Sequence, residues 1–327
     1  MGYGSYSHSA HEALLHDRAS LPTQEVFQQR ACHALMNPKG VQSRESCDSD
    51  DHPNSVGIVF ALDVTGSMGD IPKRLATKEL PNFMKLLTDC RVQDPQLLFM
   101  AVGDATSDRA PLQVGQFEST AELMDQWLTW SFLEGGGGSW GHESYELGMY
   151  FLAEHTDMDC FEKRKKKGYM FMTGDEHPYP SVSRHQVEAI IGEKLDEDIP
   201  TEAVVAALHE SYHPFFLIPD LARREASEAR WRELLGDHVI CMEDSGDTCY
   251  VAAALVALTE GVVADVGQLA TVLKEAGASR ERVGAVVRAI TPYATALGKD
   301  VDGAVSLDGA GLPASEGKSL WQKLTGR

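Results

Sequence analysis

The sequence predicts an α/β fold: a doubly wound, mostly parallel sheet with one antiparallel edge strand, plus a small helical C-terminal appendage. Three observations predict it. Short apolar runs alternate with helix-length segments, the runs resemble strands buried on both faces, and one run follows its predecessor too closely for a helical crossover. The 327 residues, 43% hydrophobic and 24% charged, are ordinary for a folded protein.

Strands are predicted where apolar runs are bounded by polar or turn-forming residues. The first, residues 56–62, has no polar side chain. Similar runs follow at residues 96–102, 168–173, 214–218 and 238–242. A further strand, residues 112–117, comes directly after the turn-rich link GDATSDRAP, so we expect it to pair antiparallel at an edge. Asp104 and Asp108 in that link are typical turn residues.

Helices are predicted between the strands, at residues 71–87, 120–133, 143–155, 201–209, 223–235 and 247–263. Pro81 lies inside the first of them and should kink or split it. After residue 263 the pattern predicts two short amphipathic helices joined at AGAS. These two helices form the predicted appendage.

Four regions follow from this pattern. Residues 1–54 are a polar arm and linker with one helix around residues 25–35, and residues 55–262 form the α/β domain. Residues 263–296 are the helical appendage, and residues 297–327 are a Gly-rich segment expected to be a flexible tail.

Charge and targeting signals limit the partners and the compartment. The formal net charge of −20 opposes binding to nucleic acid or to an anionic membrane surface. The sequence shows no signal peptide and no apolar run of membrane-spanning length, so we expect a cytoplasmic protein. Six cysteines without a CxxC pair predict neither a disulfide framework nor a zinc ribbon.

The segment DVTGSM, residues 63–68, directly follows the first predicted strand, at the sheet edge where α/β folds bind ligands. Asp63, Thr65 and Ser67 alternate in it, so a tight loop can aim one carboxylate and two hydroxyls at a common point. Such oxygen ligands suit Mg²⁺, with Mn²⁺ or Ca²⁺ as alternatives. Helix capping by the same residues without any ion is the simpler alternative.

A second acid, Asp175, follows the strand predicted at residues 168–173, which we expect beside the first strand. Between the two acids lies EGGGGSWGHESYEL, whose four consecutive glycines let the backbone pass close to an ion. Ser139 or Glu143 can reach the ion from this segment. The sequence therefore predicts one metal site assembled from three separate segments.

Together these segments resemble the metal-ion-dependent adhesion site (MIDAS) of von Willebrand factor A (vWA) domains, and DVTGSM is close to the form common in bacterial members. The resemblance covers about residues 55–260 and implies a vWA or Rossmann-like fold of the bacterial intracellular type. It implies that Thr65 and Ser67 bind the metal directly, while Asp63 and Asp175 hold waters. The remaining protein ligand falls among Gly138, Ser139 and Glu143.

The resemblance also implies a function, that of a protein-interaction module and not an enzyme. A partner's Glu or Asp would complete the coordination of the metal. Intracellular members serve as assembly modules, so the expected partner is an AAA+ ATPase or another assembly component. Because the chain is strongly acidic, we expect a basic surface around the partner's acid.

Other interpretations stay open. Asp63 in DVTGS also resembles the nucleophile of haloacid dehalogenase-like phosphotransferases and phosphatases, but the sequence lacks the further acidic pair after a buried strand that this chemistry needs. A degenerate vWA scaffold without metal is another alternative. HESYH, residues 209–213, matches the HExxH zinc pattern in letters, yet Pro214 disfavours helical geometry at His213.

Overall fold

The computed structural model describes residues 4–16, 18–66, 68, 70–135 and 141–301. Its centre is a six-stranded sheet, whose strands we number in chain order. They are β1 (Val56–Asp63), β2 (Pro95–Val102), β3 (Leu112–Val114), β4 (Gly168–Thr173), β5 (Tyr212–Ile218) and β6 (Val239–Cys241). Each predicted strand is present, and the predicted fold class is confirmed.

The strands lie in the order β6-β5-β4-β1-β2-β3. Every neighbouring pair is parallel except β2 and β3, which are antiparallel, as the short link between them predicts. The chain builds outward from β1 on one side and then returns to build from β4 on the other. The switch point therefore lies between β1 and β4, where doubly wound sheets open a crevice at the carboxyl ends of their strands.

Helices cover both faces of the sheet. On one face, the apolar side chains share a cluster with the helices Leu80–Asp89, Ala121–Thr129, Thr248–Thr259, Val266–Glu275 and Arg280–Ala296. On the other face, they share a cluster with Tyr145–Glu154, Asp159–Arg164, Thr201–Ser211 and Arg224–Leu235. No helix among the described residues is long and apolar enough to cross a membrane.

Alternating side chains of β1 show why its sequence is apolar throughout. Ile58 and Phe60 pack into the first cluster, whereas Val59 and Ala61 pack into the second. Successive side chains of a strand point to opposite faces, so a strand covered on both sides needs apolar residues at every position.

The first predicted helix is interrupted at Pro81, as expected. Its parts are the helix Asp70–Arg74, a π-helical turn Leu75–Glu79, and the helix Leu80–Asp89, in which Pro81 stands at the N-terminus. Proline lacks the N–H that a helix interior needs, and the first helical turn is where this loss is tolerated.

The N-terminal segment differs from its prediction. Residues 25–35 are not one helix: a short helix Thr23–Val26 ends at Phe27, whose backbone is extended, and a 3₁₀ turn follows at Ala34–Met36. Val26 and Phe27 are buried in the first apolar cluster. Burial of these two side chains outweighs the local helical preference. A longer helix, His8–His16, precedes this segment.

Short pairings and turns complete the described structure. Arg44–Ser46 pairs in parallel with Thr156–Met158, and Ser181–Val182 pairs antiparallel with Ile199–Pro200. The remaining helical segments are Arg184–Gln186, Val187–Ile191, Gly236–His238 and Ser245–Asp247. The domain boundaries stay a prediction, and the predicted tail lies outside the described residues from residue 302 onward.

Candidate functional site

Asp63 is the last residue of β1 and stands at the switch point with its side chain 1% exposed. Its Oδ1 accepts a hydrogen bond from the Thr65 N–H at 2.9 Å and another from the Thr65 hydroxyl at 2.5 Å. The Asp-x-Thr spacing therefore closes a tight turn directly after the strand. Ser67, the third predicted residue of this loop, lies outside the described residues.

Tyr145 holds the second carboxylate oxygen of Asp63. Its hydroxyl donates to Asp63 Oδ2 at 2.6 Å, and the whole side chain is buried at the start of the helix Tyr145–Glu154. No motif in the sequence marks this residue as part of the site. Its place in the first turn of the helix after the glycine-rich segment was the available signal.

Gly174 brings the loop after β4 against the same tyrosine. A Cβ atom at this position would lie 2.4 Å from the Tyr145 hydroxyl and 2.9 Å from Phe216 Cζ, so only glycine lets the backbone approach so closely. Asp175 follows directly. The structure thus places Asp63 in contact with one buried phenol, and Asp175 directly after the glycine that packs against the same phenol.

The electrostatics agree with this proximity. The pKa of Asp63 is raised to about 6, mainly by burial and also by the charge of Asp175, against the lowering effect of the hydrogen bonds from Thr65 and Tyr145. The pKa of Tyr145 lies well above its ordinary value because of burial, with added effects from Asp63, Asp175 and Glu143. The negative charges of three carboxylates therefore raise the pKa of the same hydroxyl.

Glu143 reaches this edge through a short strand. His142–Glu143 pairs in parallel with His177–Pro178, which follows Asp175 in the chain, and the Glu143 side chain is 2% exposed. Of the candidates for the additional ligand, Glu143 is thus near the other predicted acids, and Gly138 lies outside the described residues. Ser139 lies outside the described residues.

Arg223 is a cation at this edge that sequence reasoning missed. Its Nη1 donates to Asp175 Oδ2 at 2.6 Å and lies 3.3 Å from Met68 Sδ, in the DVTGSM loop. Arg223 precedes the helix Arg224–Leu235, far from both acids in sequence. No local pattern marks such a long-range ion pair.

The donor chemistry fits a hard cation. Asp63, Asp175 and Glu143 offer carboxylate oxygens and Thr65 offers a hydroxyl, the ligand types of Mg²⁺ sites. The hydroxyl of Thr173, the last residue of β4, is buried without a hydrogen-bond partner in the part of the chain that the structure describes. Within that same part, no group of three His, Cys, Asp or Glu residues could hold a metal ion. An ion here needs hydroxyl or water ligands as well.

A second Asp-x-Thr turn follows β2. Asp104 Oδ1 accepts from the Thr106 N–H at 2.9 Å and from the Tyr179 hydroxyl at 3.1 Å. Its Oδ2 accepts from the hydroxyls of Thr106 at 2.6 Å and Ser107 at 3.2 Å. The Asp104 side chain thus accepts hydrogen bonds from the residues of the turn that it begins, as predicted for an aspartate in this link.

Glu146 is the acid beside this second turn. Its Oε2 accepts from the Tyr179 N–H at 3.0 Å, whereas its buried Oε1 has no hydrogen-bond partner among the described residues. The pKa of Glu146 is raised to about 8, mainly by burial and also by the charge of Asp104. Glu146 is therefore largely protonated at neutral pH.

The HESYH segment does not form a zinc-protease helix. The helix Thr201–Ser211 ends before His213, which lies in β5. His209 and His213 therefore occupy different secondary structures, as Pro214 predicts.

Comparisons with known proteins give only distant structural likenesses. The chain matches no family model and no curated protein. Similar structures include the pilus adhesin SpaC from Lactobacillus rhamnosus GG in its open conformation, with a TM-score of 0.43 and 14% identity over 68% of this chain and 31% of that chain. A von Willebrand factor type A protein from Catenulispora acidiphila gives 0.40 and 13% over 64% and 43%.

Proximal thread matrix protein 1 from the mussel byssus gives a TM-score of 0.39 and 11% identity over 68% of this chain and 51% of that chain. This chain thus covers 31% to 51% of the three structures. One of them carries the name of the family that the motifs resemble. At TM-scores below 0.5 and identities of 11% to 14%, these likenesses do not assign a function to this chain.

Proposed function

We propose that this protein is a metal-ion-dependent protein-interaction module that binds an acidic side chain of a partner through Mg²⁺, with Mn²⁺ or Ca²⁺ as alternatives. One observation carries the proposal. Asp63 and Asp175, from the ends of two strands that are far apart in sequence, lie around one buried hydroxyl at the switch point of the sheet. A structural role for Asp63 as a turn former explains Thr65 but not the second acid.

The residues divide the task of holding the ion. Thr65 and Ser67 supply hydroxyl ligands, and Asp63 and Asp175 orient water ligands. Ser139 or Glu143 supplies the remaining protein ligand. When bound, the ion supplies a Lewis-acidic position that accepts a carboxylate oxygen of the partner.

The chain's own residues prepare this site. Tyr145 fixes the orientation of Asp63 through the hydrogen bond to Oδ2, so the carboxylate does not rotate freely. Gly174 keeps the backbone before Asp175 close to Tyr145. Tyr145 therefore contacts both Asp63 and the backbone that precedes Asp175.

The partner that fits is a cytoplasmic protein that presents one exposed Glu or Asp within an otherwise basic surface. The net charge of −20 favours such a surface through long-range attraction. An AAA+ ATPase or another assembly component is the partner class that we propose. Such a partner should be retained on the immobilised protein in a buffer that contains Mg²⁺, and it should be released when a chelator is added.

Calorimetric titration with MnCl₂ and MgCl₂ tests the metal site. The wild type should bind Mn²⁺, and Thr65→Ala should weaken binding on the order of 10- to 100-fold while the protein stays folded. Thr106→Ala is the matched control, because it alters the equivalent residue of the Asp104 turn. Absence of binding to the wild type would instead indicate a degenerate scaffold.

Catalysis is the competing function, with Asp63 as the nucleophile of a phosphotransferase. Both oxygens of Asp63 accept hydrogen bonds from buried residues, which opposes attack on a substrate. Hydrolysis of a generic aryl phosphate, lost in Asp63→Asn, would overturn the interaction module.

A further inference from the structure

The strongest unexplained feature at the site is its internal cation. Arg223 pairs with Asp175 at 2.6 Å, and the Asp175 side chain is 12% exposed. The same Nη1 atom contacts Met68 of the DVTGSM loop. The guanidinium therefore joins two of the segments that are proposed to hold the metal ion.

A second acid anchors the arginine from outside the site. Asp220 Oδ2 accepts from Arg223 Nε at 2.9 Å, and Asp220 Oδ1 accepts from the N–H groups of Ala222 at 2.9 Å and Arg223 at 3.1 Å. Asp220 thus binds the Nε end of the guanidinium and also stabilises the turn before the helix Arg224–Leu235. Nη1 can leave Asp175 while Nε stays on Asp220.

We propose that the Arg223 guanidinium competes with the divalent cation for Asp175 and so regulates occupancy of the site. This inference rests on the proposed function. Without metal, Arg223 neutralises Asp175 and ties it to the DVTGSM loop. Metal binding requires that Nη1 leave Asp175, because the two cations repel each other and need the same carboxylate.

The competition lowers the affinity of the site for metal. A cation in direct contact with a carboxylate opposes the binding of a second cation to the same carboxylate, because the two positive charges repel each other. Removal of the arginine charge should therefore tighten metal binding by about tenfold or more. The affinity for metal is set by this ion pair as well as by the ligands.

Calorimetric titration of metal-free protein with MnCl₂ tests the competition. The variants are Arg223→Gln, which removes the charge, and Arg223→Lys, which keeps it. Arg224→Gln is the matched control, because it changes the net charge equally at the adjacent position, where the side chain pairs with Glu228 on its own helix. Arg223→Gln should lower the Kd about tenfold. Arg224→Gln should match the wild type, and Arg223→Lys should stay closer to the wild type than to Arg223→Gln.

The outcomes separate the two proposals. Equal Mn²⁺ affinity in the wild type and Arg223→Gln, or weaker binding by Arg223→Gln, overturns the competition and leaves the metal site standing. Equal tightening in Arg223→Lys and Arg223→Gln shows that geometry and not charge is responsible, which also overturns it. No binding by any of the four proteins overturns the proposed function together with this inference. Thermal unfolding by circular dichroism confirms that each variant is folded.

Discussion

Two neighbouring strands, β1 and β2, end in the same local motif and yet have different chemistry. Asp63 and Asp104 each accept the N–H and hydroxyl of the threonine two residues later, and each accepts a tyrosine hydroxyl. Each also has a second acid nearby, Asp175 for Asp63 and Glu146 for Asp104. The difference lies in how the second acid is neutralised.

In the Asp104 pair the neutralising charge is a proton, since burial keeps Glu146 protonated at neutral pH. In the Asp63 pair it is the guanidinium of Arg223, held on Asp175 by an ion pair. A buried acid that is already protonated carries no charge to attract another cation, whereas a partly exposed arginine can be displaced from its carboxylate. The position in the sheet explains the difference: Asp63 stands at the switch point and Asp104 beside the antiparallel edge strand.

Glu146→Gln should have the largest effect on stability, and the effect depends on pH. The folded-state pKa of about 8 lies above the ordinary 4.5, so Glu146 contributes stability below about pH 4.5 that is lost as pH rises through 8. Glutamine removes this loss. The free energy of unfolding of the variant relative to the wild type should rise on the order of 3 kcal/mol between pH 5 and 8.

Urea unfolding across this pH range measures the Glu146 effect. Glu225→Gln, on the exposed surface of a helix, is the control and should follow the wild-type profile. A pH-independent difference between Glu146→Gln and the wild type would show that Glu146 is ionised in the folded protein. The proposed difference between the two acid pairs, a proton on Glu146 and an arginine on Asp175, would then be wrong.

Gly174→Ala should lower the stability of the folded protein by a smaller amount. The new Cβ would meet the buried rings of Tyr145 and Phe216, which cannot move aside, so overpacking should cost about 2 kcal/mol. Gly103→Ala is the matched change before Asp104. Its Cβ would meet mainly the end of the Asp108 side chain, which can move aside by giving up its hydrogen bond from the Asp104 N–H at 2.8 Å, so the cost should be about 1 kcal/mol. Equal unfolding midpoints for the two variants would show that the Gly174 approach is not tight.

Sequence patterns predicted the sheet because each strand is determined by its own run of apolar residues. The antiparallel edge strand followed from the length of one link, and the break near Pro81 from the missing N–H. The prediction of a helix at residues 25–35 was wrong because the burial of Val26 and Phe27, a tertiary effect, determines the backbone conformation of that segment.

Part of the site was predictable for the same reason and part was not. Asp63 and Asp175 follow buried strands, so their meeting at the switch point could be expected. Tyr145, Arg223 and Glu146 act through contacts between elements that are far apart in sequence. Their roles depend on which helix packs against which strand end; the position of Tyr145 directly after the glycine-rich segment hints at its role, but no spacing marks Arg223 or Glu146.

Asp63→Asn tests whether the acid at the switch point is retained for function at the expense of stability. The folded-state pKa of about 6 exceeds the ordinary 3.8, so ionised Asp63 destabilises the metal-free protein above pH 6, while the penalty is absent below about pH 3.8. Asparagine keeps Oδ1 as an acceptor for Thr65, and its side-chain N–H takes the place of Oδ2 and can donate to the Tyr145 hydroxyl, without the charge.

The variant should therefore be more stable than the wild type by about 2 kcal/mol at pH 7 and should lose Mn²⁺ binding. Asp104→Asn is the matched control and should leave Mn²⁺ binding intact, because Asp104 lies outside the switch point. Thermal unfolding without metal, followed by calorimetry with MnCl₂, measures both properties. If Asp63→Asn destabilises the protein as Asp104→Asn does, Asp63 is a structural turn residue like its neighbour. A stability gain combined with loss of metal binding would mean that position at the switch point converts a common turn into a binding site.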